Sequence, residues 1–456
     1  MKTTKLSLIA LMALGTLSSV YAEEVAKPAQ EGEAQVEQTQ TSVQAKKSTT
    51  LGDIFAGTTI KGYAYERLTS MFGDDASGTA LRTRIFANIE TGAYQGFSVG
   101  TTLWASIGGS APNGGTFLEN STKGKDVNNS VPLSIYGIYA KQTFQSTKTT
   151  ITGGQVTIDT PFNDSAWDYG LGVAVNNTDI NGIRFSAQAY GAWGLDVSNE
   201  LSKSAAGHYS FDSDRPLMIA GVSGDAAALS GVGFKLWAAN SIKTVDYLVF
   251  GELGYTTSGV TIQGQVAATQ VNTQSTFFNN DILLKNKTNI AKTRGLYNVQ
   301  VAYSGSGLGA SVGYTGSFGE GYGALLNNGS FNMGGKFWYD TVGDKNGYTL
   351  GGNGGVKNTS IQVVYAQLTY KLGGVGLGLD YAYVSGNNHY SLMKKGIANH
   401  KNANGQSITN MNATLHELTA SASYAFSDKL KLTALVGSTF GDLTQGRARA
   451  ELKYTF

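Results

Sequence analysis

Apolar and polar residues alternate with a period of two along most of the chain. Three stretches show it clearly: ALRTRIFANIE (80–90), NGIRFSAQAYGAWG (181–194) and VGLGLDYAYV (375–384). The last eleven residues, GRARAELKYTF, follow the same rule up to the final ring. Successive side chains of a β-strand point to opposite faces, so this pattern predicts strands with one apolar and one polar face.

The connections between these strands alternate in length. Short connections are predicted at 92–96, 145–148, 177–182, 224–230, 257–259, 305–307, 373–374 and 427–429. Long connections are predicted at about 107–131, 159–170, 195–215, 274–295, 318–358 and 387–413. Short inner turns and long outer loops are typical of barrels inserted into an outer membrane from the periplasm. We therefore expect an all-β, transmembrane antiparallel β-barrel of about 18 strands.

The start of the chain has a different character. Residues 1–22 combine two lysines, an apolar run and the small-residue ending VYA, which is the pattern of a cleaved secretory signal peptide. Residues 23–57 are rich in Glu, Gln and Thr, so a disordered periplasmic segment is expected, with a short helix or a tether as the alternatives. The barrel is assigned to residues 58–456, in the outer membrane of a Gram-negative bacterium.

Composition supports a sheet with two different faces. The chain has 60 Gly, 24 Tyr and 19 Phe, but charged residues are only 14%, below the roughly 25% of soluble domains. The formal charge of +2 gives no basic footprint for nucleic acid. The absence of cysteine excludes disulfides and thiolate metal sites.

The final strand has to pair with the first, because an open sheet edge in lipid leaves unsatisfied hydrogen-bonding groups. Tyr454 and Phe456 then lie on the lipid-facing side at the inner interface, where aromatic girdles occur. A last strand ending in Phe also resembles the signal read by the outer-membrane assembly machinery of Gram-negative bacteria.

Catalytic chemistry has little support. The four histidines are His208, His389, His400 and His416; the first three fall in predicted outer loops, and His416 and Glu417 should point to opposite faces. GGNGG (351–355) lies in a long loop and is expected to be flexible rather than a nucleotide site. The chain is therefore predicted not to be an enzyme.

A barrel of eighteen strands is wide enough to hold water. The charged residues of the strands fall mainly on the face opposite the apolar one. Those predicted to line the lumen are Arg82, Arg84, Lys141, Arg184, Lys235, Arg447, Arg449, Lys453, Glu90, Glu252, Asp380, Glu417 and Glu451. Near a narrow point such charges set ion selectivity.

The loop IDTPFNDSAWDYG (158–170) is the predicted constriction. It carries Asp159, Asp164 and Asp168 together with aromatic residues that need something to pack against. We expect it to fold inward, so that its carboxylates face a basic wall that includes Arg82 and Arg84. The three carboxylates are also a candidate site for a calcium ion, since hard cations take several oxygen ligands.

Two segments resemble the major outer membrane protein porins of campylobacters and helicobacters. They are 153–193, with its Asp-bearing loop and Asn-rich hairpin, and 79–100, with its paired basic residues; the ending LKYTF also agrees. The hairpin is one residue longer than the family pattern, and residues 23–57 depart from it. The resemblance implies a homotrimeric porin constricted by its third loop, with mild cation preference. It also implies an abundant surface antigen that binds host cells.

The function that fits best is passive diffusion of ions and small hydrophilic solutes through a water-filled channel. An adhesin on a barrel scaffold, using loops 318–358 and 387–413, and a substrate-specific channel are the alternatives. The expected partners are outer-membrane lipid, lipopolysaccharide, the assembly machinery and small solutes, with no nucleic acid.

Overall fold

The architecture comes from a computed structural model. It describes residues 50–73, 78–110, 133–165, 168–195, 215–278, 287–327, 329–336, 338–339, 348–388, 411–442 and 444–456. Predictions for the signal peptide, for residues 23–49, for Trp167 and for His208, His389 and His400 lie outside these residues.

Eighteen strands form one antiparallel sheet. Their bounds are β1 Thr59–Gly73, β2 Gly78–Glu90, β3 Phe97–Ser110, β4 Leu133–Phe144, β5 Thr149–Thr157, β6 Tyr169–Asn177, β7 Ile183–Gly194, β8 Leu217–Gly224, β9 Val232–Ser241, β10 Val245–Thr257, β11 Val260–Val271, β12 Thr293–Gly305, β13 Leu308–Gly319, β14 Gln362–Leu372, β15 Val375–Asn388, β16 Met411–Ala425, β17 Leu430–Gly441 and β18 Gln445–Thr455. Two 3-10 helices, Thr276–Phe278 and Asn353–Gly355, lie in the connections.

The sheet closes on itself. Each strand pairs with its neighbour in sequence, and β18 pairs with β1 from Tyr63↔Thr455 to Gly73↔Gln445. Beyond the last strand, the Phe456 N–H donates to the Gly62 carbonyl at 3.0 Å, and the Gly62 N–H donates to the Phe456 carbonyl at 2.9 Å. The predicted closed barrel of 18 strands is confirmed.

The inner turns are short for a local reason. At 258–259 and 306–307 both residues have positive φ, with values of 48° and 79° in the first turn and 51° and 78° in the second. This backbone matches the right-handed twist of the flanking strands, and Gly at the second position adopts it without strain. The prediction for the outer connections is only partly right, because 74–77, 242–244 and 442–444 are also short.

Ordered structure begins earlier than the composition predicts. Residues 50–57, expected to belong to the disordered segment, contain helix α1, Leu51–Ala56. A capping box starts it, since Thr50 and Asp53 each accept a hydrogen bond from the other's backbone N–H. Gly92 N donates to the Ile54 carbonyl at 2.9 Å, which fixes the helix beside the turn between β2 and β3. No helix in the described part of the chain is long and apolar enough to span a membrane.

Side-chain alternation places the large exposed apolar residues outside and the charged residues inside. On β15, Leu377 and Leu379 are 48% and 47% exposed on the outer face, whereas the next residue, Asp380, faces inward and is 4% exposed. The buried core is unusual because it lies inside the barrel. Inward residues such as Trp237, Phe250 and Tyr365 pack there against residues of the outer connections.

Candidate functional site: a lumen narrowed by two loops

The connection between β13 and β14 (320–361) is here called loop 7, and its described residues fold into the lumen. Those between 326 and 338 follow the inner wall from β11 to β16. Asn332 N donates to Gln265 Oε1 on β11 at 2.8 Å, and Asn332 Nδ2 donates to the Tyr365 hydroxyl on β14 at 2.9 Å. Because both partners lie on inner faces, this part of loop 7 is inside the barrel.

A buried carboxylate holds loop 7 at residues 336 and 338. Glu417, on the inner face of β16, is 0% exposed. Its two oxygens accept the backbone N–H groups of Lys336 at 2.6 Å and Trp338 at 2.8 Å. Lys336 Nζ also lies 3.8 Å from Asp380 Oδ1 on β15. The loop is therefore attached to two adjacent strands through charged groups.

The connection between β5 and β6 (158–168, here called loop 3) also packs against the inner wall. Phe162 is 0% exposed and meets Trp237 of β9 edge-on, with ring centroids 6.5 Å apart. Loop 7 joins it there. Leu326 N donates to the Phe162 carbonyl at 3.0 Å, and Ser330 N donates to the Pro161 carbonyl at 2.8 Å. Loops 3 and 7 thus form one body on the β6–β16 side of the lumen.

The three aspartates of loop 3 have different surroundings. Asp168 is 0% exposed and accepts from Asp164 N at 2.9 Å, Asn163 Nδ2 at 3.1 Å and Asn327 Nδ2 at 2.8 Å. The prediction that Asp168 lines the pore is corrected, because its carboxylate is buried. Its hydrogen bonds join loop 3 to loop 7 instead. Asp164 is half-buried beside it.

Asp159 is the aspartate that faces water. Its side chain is 54% exposed and pairs with Arg184 Nη2 on β7 at 2.5 Å. Arg184 also donates to Asn176 Oδ1, at 2.8 Å from Nη2 and 3.1 Å from Nε, so its guanidinium is oriented from two sides. Within the described residues, no group of three or more His, Asp or Glu side chains is arranged to hold a metal ion.

The opposite side of the lumen is basic. Seven cationic side chains share the inner faces of three adjacent strands, β18, β1 and β2, and are here called the basic sector: Lys61, Arg67, Arg82, Arg84, Arg447, Arg449 and Lys453. Two acidic residues share these faces: Glu451 pairs with Arg67 Nε at 2.5 Å, and Glu90 lies at the inner-turn end of β2. Cations therefore outnumber carboxylates here, and loops 3 and 7 contact the other side.

Aromatic rings support the basic sector from the inner wall of β1, β2 and β3. Tyr63 stacks on Tyr65 and on Phe86, with centroids 5.9 and 5.5 Å apart. The Arg84 guanidinium carbon lies 5.5 Å from the Tyr65 ring and 5.7 Å from the Trp104 ring. Ring faces attract cations, so this arrangement keeps the guanidinium against the wall. Only 4% of Arg84 is exposed as a result.

Comparison with known proteins identifies the fold and the family. The model of the Campylobacter major outer membrane protein family matches residues 102–450, more than half of the chain. The chain belongs to this family. The family and the barrel place it in the outer membrane of a Gram-negative bacterium, as the sequence predicts. No curated protein sequence matches it.

Solved outer-membrane porins share the fold at low identity. Pseudomonas aeruginosa OprD is 11% identical, with a TM-score of 0.57 over 91% of this chain and 97% of that chain. P. aeruginosa OccK8 (OprE) is 14% identical, with a TM-score of 0.59 over 88% and 99%. P. aeruginosa OccK2 (OpdF), solved in complex with glucuronate, is 10% identical, with a TM-score of 0.58 over 88% and 99%.

In this member of the Campylobacter family, the other predicted lumen residues lie on inner faces. Lys141 on β4 pairs with Glu90 on β2, and their side chains are 30% and 20% exposed. Lys235 on β9 lies 3.0 Å from Glu252 on β10. Tyr454 is 44% exposed on the outer face, at the inner-turn end of β18.

Sequence reasoning missed Arg67 and the whole of loop 7. Arg67 follows Tyr63 and Tyr65 at the same parity in YAYERL, so the alternation rule applied to β1 would have found it. The sequence pattern places 318–358 among the outer connections without predicting that it folds inward, and its aromatic residues are the signal that could have shown this. Among them, Trp338 and Tyr348 are 1% and 5% exposed in the lumen core.

The glycine-rich stretch 351–355 is buried rather than flexible, which is a second correction. It packs around Arg294 of β12, a side chain 1% exposed. Arg294 Nη1 donates to the carbonyls of Leu350 at 2.5 Å and Gly323 at 3.1 Å, and Nε donates to that of Ala291 at 2.8 Å. Gly355 leaves no room for a side chain here, because an added Cβ would lie 2.9 Å from the Leu350 carbonyl oxygen and 3.0 Å from Arg294 Nη1.

His416 lies on the outer face of β16, opposite in direction to Glu417. Its ring stacks on Phe440 at 5.0 Å with the planes 5° apart, and its Nδ1 lies 2.8 Å from the Tyr381 hydroxyl. It belongs to an aromatic cluster on the barrel exterior, on the opposite face of the sheet from Glu417. The family and the fold indicate a channel rather than an enzyme.

Proposed function

We propose that the protein is a porin for passive diffusion of ions and small hydrophilic solutes. The observation that carries the proposal is the exposure of inward-facing charges inside a closed barrel. Arg184, Asp159 and Lys235 keep 38%, 54% and 35% of their side-chain surface accessible at the level of loops 3 and 7. A filled barrel would bury them, so their exposure supports a continuous aqueous path.

Loops 3 and 7 together form the constriction in this proposal. Loop 3 supplies Asp159, and loop 7 supplies most of the apolar bulk that is packed against the β9–β16 wall. Solutes then pass between this body and the basic sector. The two sides carry opposite charge at the narrow level, which gives a transverse field that favours polar over apolar solutes.

Ion preference is the finer point. Family resemblance predicts mild cation selectivity, with Asp159 as the exposed carboxylate that supports it. The basic sector supports the opposite preference, because its seven cations share these inner faces with two carboxylates, Glu451 and Glu90. Reversal potential across a salt gradient decides between them.

A substrate-selective channel for small anions is the second candidate. The basic sector is a track of guanidinium groups suited to carboxylates, and the similar OccK2 structure contains glucuronate. Liposome swelling separates the two functions. Rates that fall smoothly with solute size support diffusion, whereas saturation by one class of carboxylate supports selective uptake.

The adhesin alternative needs the loops 318–358 and 387–413 as external binding surfaces. The described residues of 320–361 largely pack inside the barrel, which argues against the first of them. The second, 387–413, lies mostly outside the described residues. Homotrimerisation, contact with lipopolysaccharide and recognition of the terminal Phe456 by the assembly machinery remain proposals from the resemblance.

Purified protein in planar bilayers provides the direct test of the porin proposal. Discrete ohmic conductance steps that grow with salt concentration are expected. A folded, heat-modifiable protein that never conducts would contradict the proposal. Substitution of Asp159, Asp164 and Asp168 by Asn together tests the loop 3 contribution, and an unchanged reversal potential would remove them from the selective region.

A further inference from the structure

Helix α1 lies at the inner-turn end of the barrel, directly before β1. It has six residues, Leu51–Ala56. An isolated helix of this length is unstable in water, because nucleation costs more than so few hydrogen bonds return. The capping box of Thr50 and Asp53 satisfies N–H groups of its first turn. The rest of its stability has to come from a surface against which it packs.

The barrel supplies one side of that surface. Ile54 is half-buried, and its carbonyl accepts a hydrogen bond from Gly92 N at 2.9 Å. Two glycines allow this close approach. A Cβ at Gly57 would lie 3.0 Å from the Gly92 Cα, and a Cβ at Gly92 would lie 2.7 Å from the Ile54 carbonyl oxygen. The helix is therefore held in a defined position beside the turn between β2 and β3.

The other side of α1 is exposed. Gly52, Phe55 and Ala56 share it, since residues three and four apart lie on the same face of a helix. Phe55 is 71% exposed, the highest value among the large apolar side chains of the described residues. A single exposed apolar residue is common in proteins. The exposure of Phe55 is informative because of the surface that lies next to it.

The outer wall beside α1 is apolar and aromatic at the inner-turn level. Ile60 of β1 and Phe97 of β3 are 56% and 48% exposed on the outer face. Tyr94 forms a β-bridge with Phe97 and is 43% exposed. Cross-strand partners share a face, so Tyr94 points outward with Phe97. Aromatic girdles of this kind mark the membrane–water interface, and α1 adjoins it through Gly92, two residues before Tyr94.

We propose that α1 is a membrane-interface anchor, with Phe55 inserted among the lipid headgroups of the periplasmic leaflet. Apolar side chains of interfacial helices reach about 5–10 Å into the boundary between headgroups and acyl chains. Insertion removes from water the ring that the protein leaves exposed, and it completes the packing that a six-residue helix lacks. The occupant is lipid because the exposed face of α1 continues the lipid-facing wall of β1 and β3.

The anchor fixes the point at which the chain enters the barrel wall. The residues 23–49, rich in Glu, Gln and Thr, precede α1. With Phe55 in the headgroups, Thr50 is held on the lipid side of the inner opening rather than across it. This role does not require solute passage, so it stands or falls independently of the proposed function.

A nitroxide label on α1 provides the test, since the chain has no cysteine that would compete for the label. Ala56→Cys places the label on the exposed face and keeps Phe55. Ile60→Cys gives the lipid reference, and Lys429→Cys, in the exposed turn between β16 and β17, gives the water reference. Electron paramagnetic resonance in vesicles of phosphatidylethanolamine and phosphatidylglycerol compares collisions with oxygen, which concentrates in lipid, and with a nickel chelate, which stays in water. The oxygen-to-nickel ratio at Ala56→Cys should resemble that at Ile60→Cys.

Substitution of Phe55 in the Ala56→Cys background tests the anchor itself. Phe55→Ser removes the apolar ring, so the water-exposed population should rise at least about tenfold and the ratio should fall toward the Lys429→Cys value. Phe55→Leu keeps an apolar side chain and should retain the ratio. The proposal would be overturned by a water-like ratio at Ala56→Cys, by a label shielded from both reagents as in a protein contact, or by a ratio that Phe55→Ser leaves unchanged. Heat-modifiability confirms that each variant retains the barrel.

Discussion

The attachment of loop 7 to Glu417 allows a direct test of whether this loop controls the bore. Glu417→Ala removes the acceptor of two buried backbone N–H groups, those of Lys336 and Trp338. It also removes the acceptor of the Thr419 hydroxyl, 3.1 Å away. The barrel register of β16 is independent of this side chain, so the change should act on the loop.

The magnitude follows from the number of donors left without a partner. A buried donor that loses its acceptor costs about 1–3 kcal/mol, so the two N–H groups together weaken docking of loop 7 by about 2–6 kcal/mol. Even the lower figure raises the undocked population about 30-fold. The apolar core around Trp338 and Phe331 opposes complete release. We therefore expect excursions to a larger conductance rather than a permanently wider channel.

Single-channel recording in planar bilayers measures this effect. Glu417→Ala should show frequent transitions above the wild-type level, and Glu417→Gln should show fewer, because the amide keeps one acceptor oxygen. Ser421→Ala, on the inner face of the same strand but nearer the inner turns, is the matched control and should behave as wild type. Identical amplitude histograms for Glu417→Ala and wild type, with heat-modifiability retained, would refute control of the bore by loop 7.

Four further predictions concern charges in the lumen. Asp159→Asn leaves Arg184 without its carboxylate and should shift the reversal potential toward anion preference with little change in conductance; an unchanged potential would contradict this. Asp168→Ala removes the hydrogen bonds that join loop 3 to loop 7 and should increase conductance noise and protease cleavage of loop 3. Cleavage and noise equal to wild type would argue against this role of Asp168. Arg294→Met leaves three buried carbonyl oxygens without a donor and should lower the free energy of unfolding by about 3 kcal/mol or more, at about 1–3 kcal/mol for each oxygen. Arg184→Gln breaks a partly exposed ion pair and should lower the free energy of unfolding by at most about 1 kcal/mol. A heat-modifiability assay compares both variants with wild type.

The barrel was predictable because its determinants are local and periodic. Period-two alternation in 81–90 and 375–384 assigns strand and facing direction residue by residue, and two-residue turns such as Ser306–Gly307 need a specific backbone that Gly allows. Closure then follows from the medium, since an open edge in lipid is costly. The inward direction of Arg82, Arg84, Arg447 and Arg449 needs no further information than this.

Loop positions could not be obtained in the same way. Alternation says nothing about a segment without regular backbone. It therefore does not predict that the aromatic residues of loop 7 pack in the lumen. Asp159 and Asp168 are alike as sequence, yet one faces water and the other joins two loops. Part of the difference arises from Asn327, which donates to Asp168 from 159 positions away along the chain.

By itself, the sequence determined a barrel of about 18 strands, the facing of its alternating strand residues and the location in an outer membrane, because these depend on neighbours in the chain and on the solvent. Only the tertiary structure decided which loop residues narrow the lumen and which carboxylates remain accessible. Burial of a loop side chain depends on contacts between distant segments, such as Glu417 with Trp338. No periodic pattern in the sequence predicts such contacts.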